Sequence, residues 1–573
     1  ILIGLVGSEM CIRDRFIIMS FSSMKLQAKD MKDIYRDLPF EMPVIERPVI
    51  PDLNICLTDF GGSGDGVTLN SEAFEKAIQY LASKGGGRLI VPQGVWLTGP
   101  IELENNVELH LSDNSIVVFS QDKSLYPIVE TVFEGCKTFR CKPQLSAVRK
   151  SNVAVTGKGI IDGAGDIWRL GKKNEMPPMV WNECIQNGGI LSEDGELWYP
   201  TESYYRGAKD AIQNIVPWAK TMEDFESVRD FLRPVMVNFR ECDGVLLEGI
   251  VFQNSPCWNV HLSLSRDIIV HNIAVRCPWY AKNGDGIDIE SCTNLLLTDS
   301  WFDVGDDAIC IKSGKDEEGR RRGIPASNII VDNCVCYHGH GGFVVGSEMS
   351  GGVKNIAVSN CRFSGTDVGL RFKSKRGRGG VVENIYIKNI MMNDIVSEAL
   401  LFDLFYGKRV SVKLPEQDED MIAFDADETT PQFKDIYISQ VTCHGAKRAM
   451  LFNGLPEMNV RNVFIEDCHI YADEGAKIHE ATNVNLRNVM VTPKSGPALM
   501  LNNVKDLTVI GFQCRRIDGN ALIVTGSRNR LISVSSSCIS ERNAFVSNKA
   551  EGSVVYKLSL IHISEPTRPI SIS

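Results

Sequence analysis

The feature that most constrains the fold of this chain is a short phrase that recurs from about residue 240 onward. Each copy has a polar residue, alternating apolar positions and a polar or small turn residue. Copies start 21 to 34 residues apart, except for one interval of 51 residues. Alternating β-branched residues between Asn, Asp and Gly are typical of short strands joined by tight turns. The copies are GVLLEG from Gly244, DIIVHN from Asp267, NLLLTD from Asn294, NIIVDN from Asn328, NIAVSN from Asn355, NIYIKN from Asn384, DIYISQ from Asp435, NVFIED from Asn462, NVNLRN from Asn483 and DLTVIG from Asp506.

A period in the twenties, without helical spacing between the strands, predicts a solenoid in which each repeat is one coil. The leucine and asparagine pattern of leucine-rich repeats is absent from the sequence. We therefore predict an all-β chain folded as a right-handed parallel β-helix. The Asn residues that begin the copies are expected to stack at the turns. Five cysteines are expected to form an inward, buried ladder at matching positions of the coils: Cys334, Cys361, Cys468, Cys514 and Cys538.

Two segments upstream of the repeat have their own character. Within residues 59–100, Asn70 or Ser71 can cap a short helix that the glycines of GGG end. Its apolar face holds Phe74, Ala77, Ile78 and Leu81. We expect this helix to cover the open end of the solenoid, where strand edges are unpaired. Residues 163–235 interrupt the rhythm and are rich in Trp, Tyr and Pro, which predicts an insertion that forms the wall of a cleft.

The two ends of the chain are unusual. They read LVGSEMCIRDR from Leu5 and LSLIHISEPTR from Leu558. A DNA that encodes the second also encodes the first when it is reverse-complemented and read in a shifted frame. We therefore expect residues 1–15 and 558–573 to derive from a sequencing adapter. Residues 16–28 are a candidate truncated signal peptide or an ordinary disordered segment, and residues 29–557 are expected to form a single domain.

Composition excludes several classes of protein. The chain is 43% hydrophobic and 23% charged, with a formal net charge of −11, which is typical of a soluble globular protein and unlike a general nucleic-acid binder. The sequence has no stretch of 18 or more apolar residues, so no membrane-spanning helix is predicted. The 17 cysteines include no pairs at zinc spacing, so neither a metal nor another cofactor is expected. An anionic ligand would need a local basic patch.

Residues 283–312 gather three carboxylates between glycines. Asp285 lies 21 residues before the adjacent pair Asp306 and Asp307. Residues one turn apart in a parallel solenoid stack about 4.8 Å apart, so these side chains are expected to be neighbours. Such crowding separates carboxyl pKa values and supplies the acid and the base that glycoside hydrolysis requires. Two alternatives stay open: turn-forming aspartates and a calcium site.

The following coils add basic residues. HGHGG contains His340, and GLRFKSKRGRGG contains Arg371, Lys373, Arg376 and Arg378. Arg and Lys are suited to binding substrate carboxylates, so the conjunction predicts a negatively charged ligand. The alternatives are that His340 is a turn residue and that the last two arginines belong to a solvated charge run.

These motifs resemble a known family. Asn283-Gly-Asp285, Gly305-Asp306-Asp307, Gly339-His340-Gly341 and Arg371-Phe372-Lys373 are similar, in order and spacing, to the four signature motifs of polygalacturonases, the pectin-degrading glycoside hydrolases of family 28. The resemblance spans roughly residues 50–550, and members of the family are right-handed parallel β-helices. Gly284 and Phe372 depart from the usual threonine and isoleucine.

The resemblance implies an inverting mechanism on anionic pectin, with secretion or a periplasmic location following from the substrate. Asp306 would be the general acid, Asp285 and Asp307 would activate water, and His340 would position or tune the acid. Arg371 and Lys373 would hold the galacturonate carboxylate. Asn283 would orient Asp285 or bind sugar. Tyr406 is a weaker match and would contact substrate.

Local sequence also resembles the bacterial exo-acting members. The similar stretches are GDGIDIES, GSEMSGG and KSKRGRGG, and the insertion at 163–235 with RRRG at Arg320 fits a groove closed at one end. His340 argues against rhamnogalacturonan-cleaving relatives. The alternatives are a pectate lyase, a rhamnogalacturonan or xylogalacturonan hydrolase, and a non-catalytic β-helix that binds carbohydrate.

Overall fold

The computed structural model describes residues 34–212, 214–407, 420–515 and 519–557. The chain divides into two units, Ile1–Leu38 and Pro39–Ser573, and the description below concerns the second. The expected adapter-derived ends at 1–15 and 558–573 and the candidate leader at 16–28 lie outside the described residues.

Parallel strands stack coil upon coil on three faces of the solenoid. The first face contains Asn54–Cys56, Gly87–Val91, Val107–Leu111, Ser151–Gly157, Asp243–Glu248, Arg266–His271, Thr293–Thr298, Ala326–Asp332, Val353–Ser359, Val460–Glu466, Arg530–Ser536 and Val554–Tyr556. The second contains Gly94–Thr98, Ser115–Phe119, Ile160–Asp162, Val251–Gln253, Ala274–Arg276, Trp301–Val304, Val335–His338, Arg362–Ser364, His469–Ala472 and Met490–Pro493. The third contains Ile101–Glu102, Leu145–Val148, Val237–Arg240, Val260–Ser263, Ile287–Glu290, Asp307–Lys312, Gly341–Gly346, Leu370–Lys373, Leu522–Thr525 and Ala544–Val546.

Some later strands run on from one face to the next. These are Val381–Asp403, Gln432–Asn453, Glu474–Arg487 and Leu499–Cys514. Outside the coils lie a hairpin of Ile128–Phe133 with Cys136–Cys141 and a small antiparallel sheet of Gly171–Lys172, Ile190–Leu191 and Leu197–Tyr199. The α-helices are α1 (Ser71–Ser83), α2 (Pro178–Gln186), α3 (Glu202–Lys209), α4 (Met222–Ser227) and α5 (Asp316–Arg322). Short 3₁₀ turns are Leu57–Phe60, Lys123–Leu125, Gly165–Trp168, Lys173–Glu175, Arg229–Phe231, Glu541–Asn543 and Asn548–Ala550.

The alternation seen in the sequence separates the core from the outer surface of each strand. On the third face, Ile287 and Ile289 point inward and stack on Ile309 and Ile311 of the next coil, all fully buried. Because side chains alternate along a strand, the residues between them face outward. A continuous apolar core runs along the solenoid, and the predicted parallel β-helix is confirmed.

Asparagine ladders form at left-handed bends near the start of the first-face strands. The side-chain amide of each Asn donates to the Oδ1 of its equivalent one coil earlier, at 3.1 Å from Asn328 to Asn294 and from Asn355 to Asn328, and 3.3 Å from Asn384 to Asn355. These residues have φ between +56° and +57°, a left-handed conformation that Asn tolerates better than most residues. The predicted stacking of Asn at the turns is confirmed.

The cysteine ladder is correct in part. Cys334 and Cys361 are buried in equivalent positions of adjacent coils, because the Arg362 N–H donates to the Cys334 carbonyl as Val335 pairs with Arg362. Cys468 is also buried. Cys514 is in register with Val491, further along the coil, and both it and Cys538 are half-buried, so these two do not extend the same column.

The predicted capping helix is α1, and the four residues of its expected apolar face are buried against the core. Its cap residue is Asn70, but the Asn70 side chain accepts a hydrogen bond from the Ser63 N–H at 2.7 Å instead of bonding to the first turn. The helix ends at Ser83, and the three glycines that follow have positive φ. The helix therefore ends where left-handed backbone begins.

Residues 163–235 contain α2 to α4 and the small antiparallel sheet. Trp168, Tyr204, Phe225 and Phe231 pack with the hairpin in an apolar cluster separate from the solenoid core. In the part of the chain that the structure describes, no helix combines the length and the apolar composition needed to cross a membrane.

Candidate active site

The first three motifs lie at the amino ends of neighbouring third-face strands, and the fourth motif lies within the next strand, Leu370–Lys373. The strands Ile287–Glu290, Asp307–Lys312, Gly341–Gly346 and Leu370–Lys373 pair in that order, so the motifs lie on consecutive coils. The Gly286 N–H donates to the Asp307 carbonyl at 2.9 Å, and the His340 N–H donates to the Asp306 carbonyl at 3.0 Å. Backbone pairing between coils therefore holds the carboxylates together.

Asp306 and His340 form one unit at the surface of the site. His340 Nδ1 lies 2.9 Å from Asp306 Oδ1, and the two side chains are 44% and 14% exposed. Burial raises the pKa of Asp306, but the charge and hydrogen bond of His340 outweigh burial, so the net shift is downward. The Asp306 charge raises the pKa of His340. In the free site the proton of this pair is therefore held by the imidazole.

Asp307 lies beneath this pair and is neutralised by two cations. Lys373 Nζ is 2.6 Å from Asp307 Oδ2, and an Arg371 guanidinium nitrogen is 3.5 Å from Oδ1. Asp307 is 1% exposed. Burial raises its pKa, but the Lys373 charge and the other nearby cations lower it further, so the carboxylate is ionised. The half-buried ring of Tyr406 lies 5.1 Å from the Lys373 ammonium and 5.8 Å from the Arg371 guanidinium.

Asp285 has the opposite electrostatics. It is 3% exposed, and Oδ1 has no hydrogen-bond partner among the described residues. Burial and then the nearby charge of Asp306 raise its pKa well above the ordinary value, although Lys312 Nζ lies 3.9 Å away. The site thus holds Asp306 and Asp307 with lowered pKa values beside Asp285 with a raised one.

The remaining predicted binding residues differ in their surroundings. Asn283 has φ +54°, and its Oδ1 accepts a hydrogen bond from the Arg233 guanidinium at 2.8 Å. Arg376 pairs with Glu457 at 2.5 Å. Arg378 is 1% exposed and donates to Asp316 at 2.5 Å and to the Ser347 carbonyl at 3.2 Å. The basic patch is therefore formed by Arg371 and Lys373, and Arg378 is not part of a solvated charge run.

The sequence analysis missed a buried charged group beside Asp285. Lys312 Nζ lies 3.3 Å from Asp288 and 3.4 Å from Glu348, and all three residues are buried. Burial raises the pKa of Asp288 to about 8. Burial also acts on Glu348, but Lys312 and Arg378 lower its pKa to about 2. The signal was present in IDIE and ICIK, where polar residues alternate with core residues and so point outward from the third face.

A cleft of about 340 Å³ opens over the Asp306–His340 pair. One side is formed by Trp279, Tyr280 and Lys282, and Trp279 is 53% exposed. Lys172 and Glu175, from the segment 163–235, line the cleft as well. Aromatic faces beside acids and cations suit a carbohydrate with charged groups.

One side-chain group has the composition of a cation site. Ligand atoms of Asp306, Asp307 and His340 lie within 4.8 Å of one another. Oxygen-rich groups of this kind suit calcium. Here Lys373, at 2.6 Å from Asp307, already supplies a positive charge, so the geometry fits acid–base chemistry without requiring an ion.

Comparison with known proteins also indicates a glycoside hydrolase. Residues 226–492 match the model of glycosyl hydrolases family 28. A probable polygalacturonase from Vitis vinifera is 29% identical over 59% of this chain and 60% of its own length. An exo-poly-alpha-D-galacturonosidase from Dickeya chrysanthemi is 28% identical over 62% of this chain and 57% of its own. The matches thus span about three-fifths of these curated relatives.

A solved structure extends the similarity. The hyperthermoactive exopolygalacturonase from Thermotoga maritima is 33% identical, with a TM-score of 0.65, over 78% of this chain and 93% of that one. An identity above 30% across nearly all of the second chain shows more than a shared fold.

Proposed function

The chain belongs to the glycosyl hydrolases of family 28, and from that premise we propose that it hydrolyses α-1,4 bonds between galacturonic acid units of pectin. The proposal includes inversion at the anomeric carbon and release of product from one chain end. Such a polymer is encountered outside the cytoplasm, so we place the enzyme in the periplasm or outside the cell.

The observation that carries the proposal is the pair of cations beside the carboxylates. Arg371 and Lys373 approach Asp307 at 3.5 and 2.6 Å, on a chain whose formal net charge is −11. A part-exposed arginine and a buried lysine at an acid–base site are suited to bind a substrate that carries its own carboxylate. A neutral polysaccharide would not need them.

Asp306 is the proposed general acid because it reaches the cleft and bonds to His340. In the free site its pKa is low. A galacturonate carboxylate bound by Arg371 and Lys373 adds negative charge nearby, which favours the protonated form of Asp306. The proton can then pass from His340 to Asp306 and on to the leaving oxygen.

The proposed bases are Asp307, adjacent to Asp306 in the sequence, and Asp285, on the preceding coil. Asp307 is kept ionised by Lys373 and accepts a proton from the attacking water. Asp285 has a raised pKa in the free site, and the positive charge that develops on the sugar in the transition state favours its ionised form.

End-directed action is supported by the segment 163–235. Its residues Lys172 and Glu175 form an ion pair at 2.7 Å and line the cleft. A wall at one end of a groove favours binding of a chain terminus over binding of a chain interior. The similar proteins from Dickeya chrysanthemi and Thermotoga maritima are also named as exo-acting enzymes.

Product chromatography on polygalacturonate tests the proposal. Monomer or dimer from the earliest times, with new reducing ends and no ultraviolet absorbance, is expected. A ladder of oligomers would contradict end-directed action, and absorbing unsaturated ends would indicate a lyase.

Asp306→Asn tests the role of the acid. A general acid typically contributes about 10²–10⁴-fold, so kcat should fall by that factor. The matched control is Asp299→Asn, because Asp299 also lies beside a histidine, 3.3 Å from His271, but on another turn. Near-native turnover of the first variant, or equal loss in both, would refute the assignment.

A further inference from the structure

A second cavity lies at the opposite ends of the third-face strands. It has a volume of about 450 Å³, within the range of small-molecule sites. We call it the arginine pocket, and its cationic residues are Lys137, Arg149, Arg240, Arg321 and Arg322.

Three separate parts of the chain build the arginine pocket. Arg149 follows the strand Leu145–Val148, and the Arg149 N–H donates to the carbonyl of Arg240 at 2.9 Å on the next coil. Lys137 lies on the hairpin. Arg321 and Arg322 form the last turn of α5. The cations therefore converge through tertiary structure and not through a run in the sequence.

The five cations of the arginine pocket outnumber the three glutamates that line it, Glu130, Glu241 and Glu318. Arg322 donates to the buried Glu290 at 2.9 Å. Arg240 Nε is buried without a hydrogen bond, and its nearest carboxylate, on Glu241, is 3.7 Å away. The remaining three cations, Lys137, Arg149 and Arg321, have no ion pair within 4.0 Å among the residues that the structure describes. Concentrated charge in a concave site attracts anions.

The rest of the lining selects among anions. Glu130, Glu241 and Glu318 also line the pocket, together with the apolar Val132 and Leu264. Glutamates repel any anion, but they also accept hydrogen bonds from sugar hydroxyls, which offsets this repulsion for an acidic sugar. Guanidinium groups bind carboxylates. Cations, hydroxyl acceptors and apolar surface together fit an acidic sugar.

We propose that the arginine pocket binds a short oligogalacturonate as a second, non-catalytic site. The inference rests on the proposed function for the identity of the sugar. The pocket is distinct from the cleft, because the strand Ile287–Glu290 separates Asp285 from the Glu290 side chain that Arg322 contacts. A strand of that length spans about 13 Å.

Calorimetric titration of trigalacturonate into the full-length Asp306→Asn variant tests the proposal. Two sites per chain are expected. Adding Arg149→Ser and Arg321→Ser should abolish one site, while Arg371→Met with Lys373→Met should abolish the other. The matched control, Arg266→Ser with Arg530→Ser, removes two arginines that are exposed elsewhere, 66% and 65%, and should retain both sites.

The outcomes separate this inference from the proposed function. A single site that disappears with Arg371 and Lys373 would overturn the second site. Inorganic phosphate binding as tightly as trigalacturonate, in an Arg149-dependent manner, would overturn the sugar selectivity. If wild-type protein released no product from polygalacturonate while the Arg149-dependent site persisted, the proposed function would fail and the pocket would stand.

Discussion

The coils that carry the motifs and the coils that follow share one backbone but differ in their turns. Between residues 283 and 373 each face has its own short strand, and the intervening turns carry Asp285, Asp306 and His340. From 381 onward, Val381–Asp403 and Gln432–Asn453 cross all three faces as continuous strands. Stacking therefore fixes the register of residues in all of these coils. The candidate site lies in the coils whose strands are separated by turns, because those turns carry the acidic residues and His340.

The outward-facing cations of the third face also have different surroundings in the two sets of coils. Arg371 and Lys477 lie in one column, linked through Leu401 and Leu451 by successive pairings. Arg371 and Lys477 are similarly exposed, 17% and 19%, but Arg371 lies beside the buried Asp307 while Lys477 pairs with the part-exposed Glu474 at 2.9 Å. Burial strengthens electrostatic interactions because water no longer screens them. The burial of the carboxylate partner therefore distinguishes the two cations.

The largest expected difference concerns this column. Arg371→Met should lower kcat/KM on polygalacturonate by about 10²–10³-fold, as expected for loss of a preorganised charged donor at a reacting site. Lys477→Met removes a cation from the same column and should leave kcat/KM unchanged. Steady-state kinetics of both variants measures the contrast. Similar losses in the two variants would break the comparison, because stacking position alone would then determine the effect.

Contacts between neighbouring coils could be predicted from the sequence, whereas contacts between distant segments could not. The coil-to-coil contact of Asp285 with Asp307 was predictable, because one turn separates them and Gly286 bonds to Asp307 as the repeat requires. The partner of Arg378 was not, because Asp316 lies 62 residues away on α5. Periodicity encodes stacking, whereas burial depends on how insertions fold back.

The cysteines show the same limit. Cys334 and Cys361 stack because equal spacing in the two coils preserves register. Cys514 lies eight residues after Asp506, whereas Cys468 lies six residues after Asn462, so Cys514 pairs with Val491 and falls outside the column. A residue joins the column only when its distance from the start of its copy matches that of the others.

The pKa values of two histidines also differ between the coils that carry the motifs and the coils that follow. The charge of Asp306 raises the pKa of His340, whereas burial lowers the pKa of His479 to about 4. A raised pKa keeps the proton to higher pH, so activity that needs this proton should decline as pH rises through it, above about 6.5. His340→Gln should move this alkaline limb to lower pH, towards the carboxyl range, and reduce kcat by about 10²-fold.

The control for that prediction is His479→Gln. Because the imidazole of His479 is neutral at neutral pH, its replacement should leave the pH profile of kcat/KM unchanged. An unchanged alkaline limb in His340→Gln would show that another group supplies the proton.

A smaller effect concerns stability and the buried Asp288. Its pKa is raised to about 8, so it is neutral in the folded state at pH 5–7, whereas an unfolded aspartate ionises near pH 4. Its contribution to stability is therefore present below pH 4 and lost as pH rises to about 8. Asp288→Asn cannot ionise, so its free energy of unfolding relative to wild type should increase from pH 4 to pH 8. Urea titrations at both values measure it, and a constant difference would contradict neutral Asp288.

The smallest expected effect is a loss of stability on replacing a ladder asparagine. It should be similar in the coils that carry the motifs and in the coils that follow. Asn355 and Asn483 have φ of +56° and +52° and donate to the preceding Asn of the ladder at 3.1 and 2.9 Å. Replacement by Ala adds left-handed strain of about 1–2 kcal/mol and loses the ladder bond, while Gly loses only the bond. Chemical denaturation should therefore rank Ala below Gly by a similar amount at both positions, with kcat unaffected. A much larger loss at Asn355 would mean that the coils under the site depend on the ladder more than the others, so the backbone would not be equivalent in the two halves.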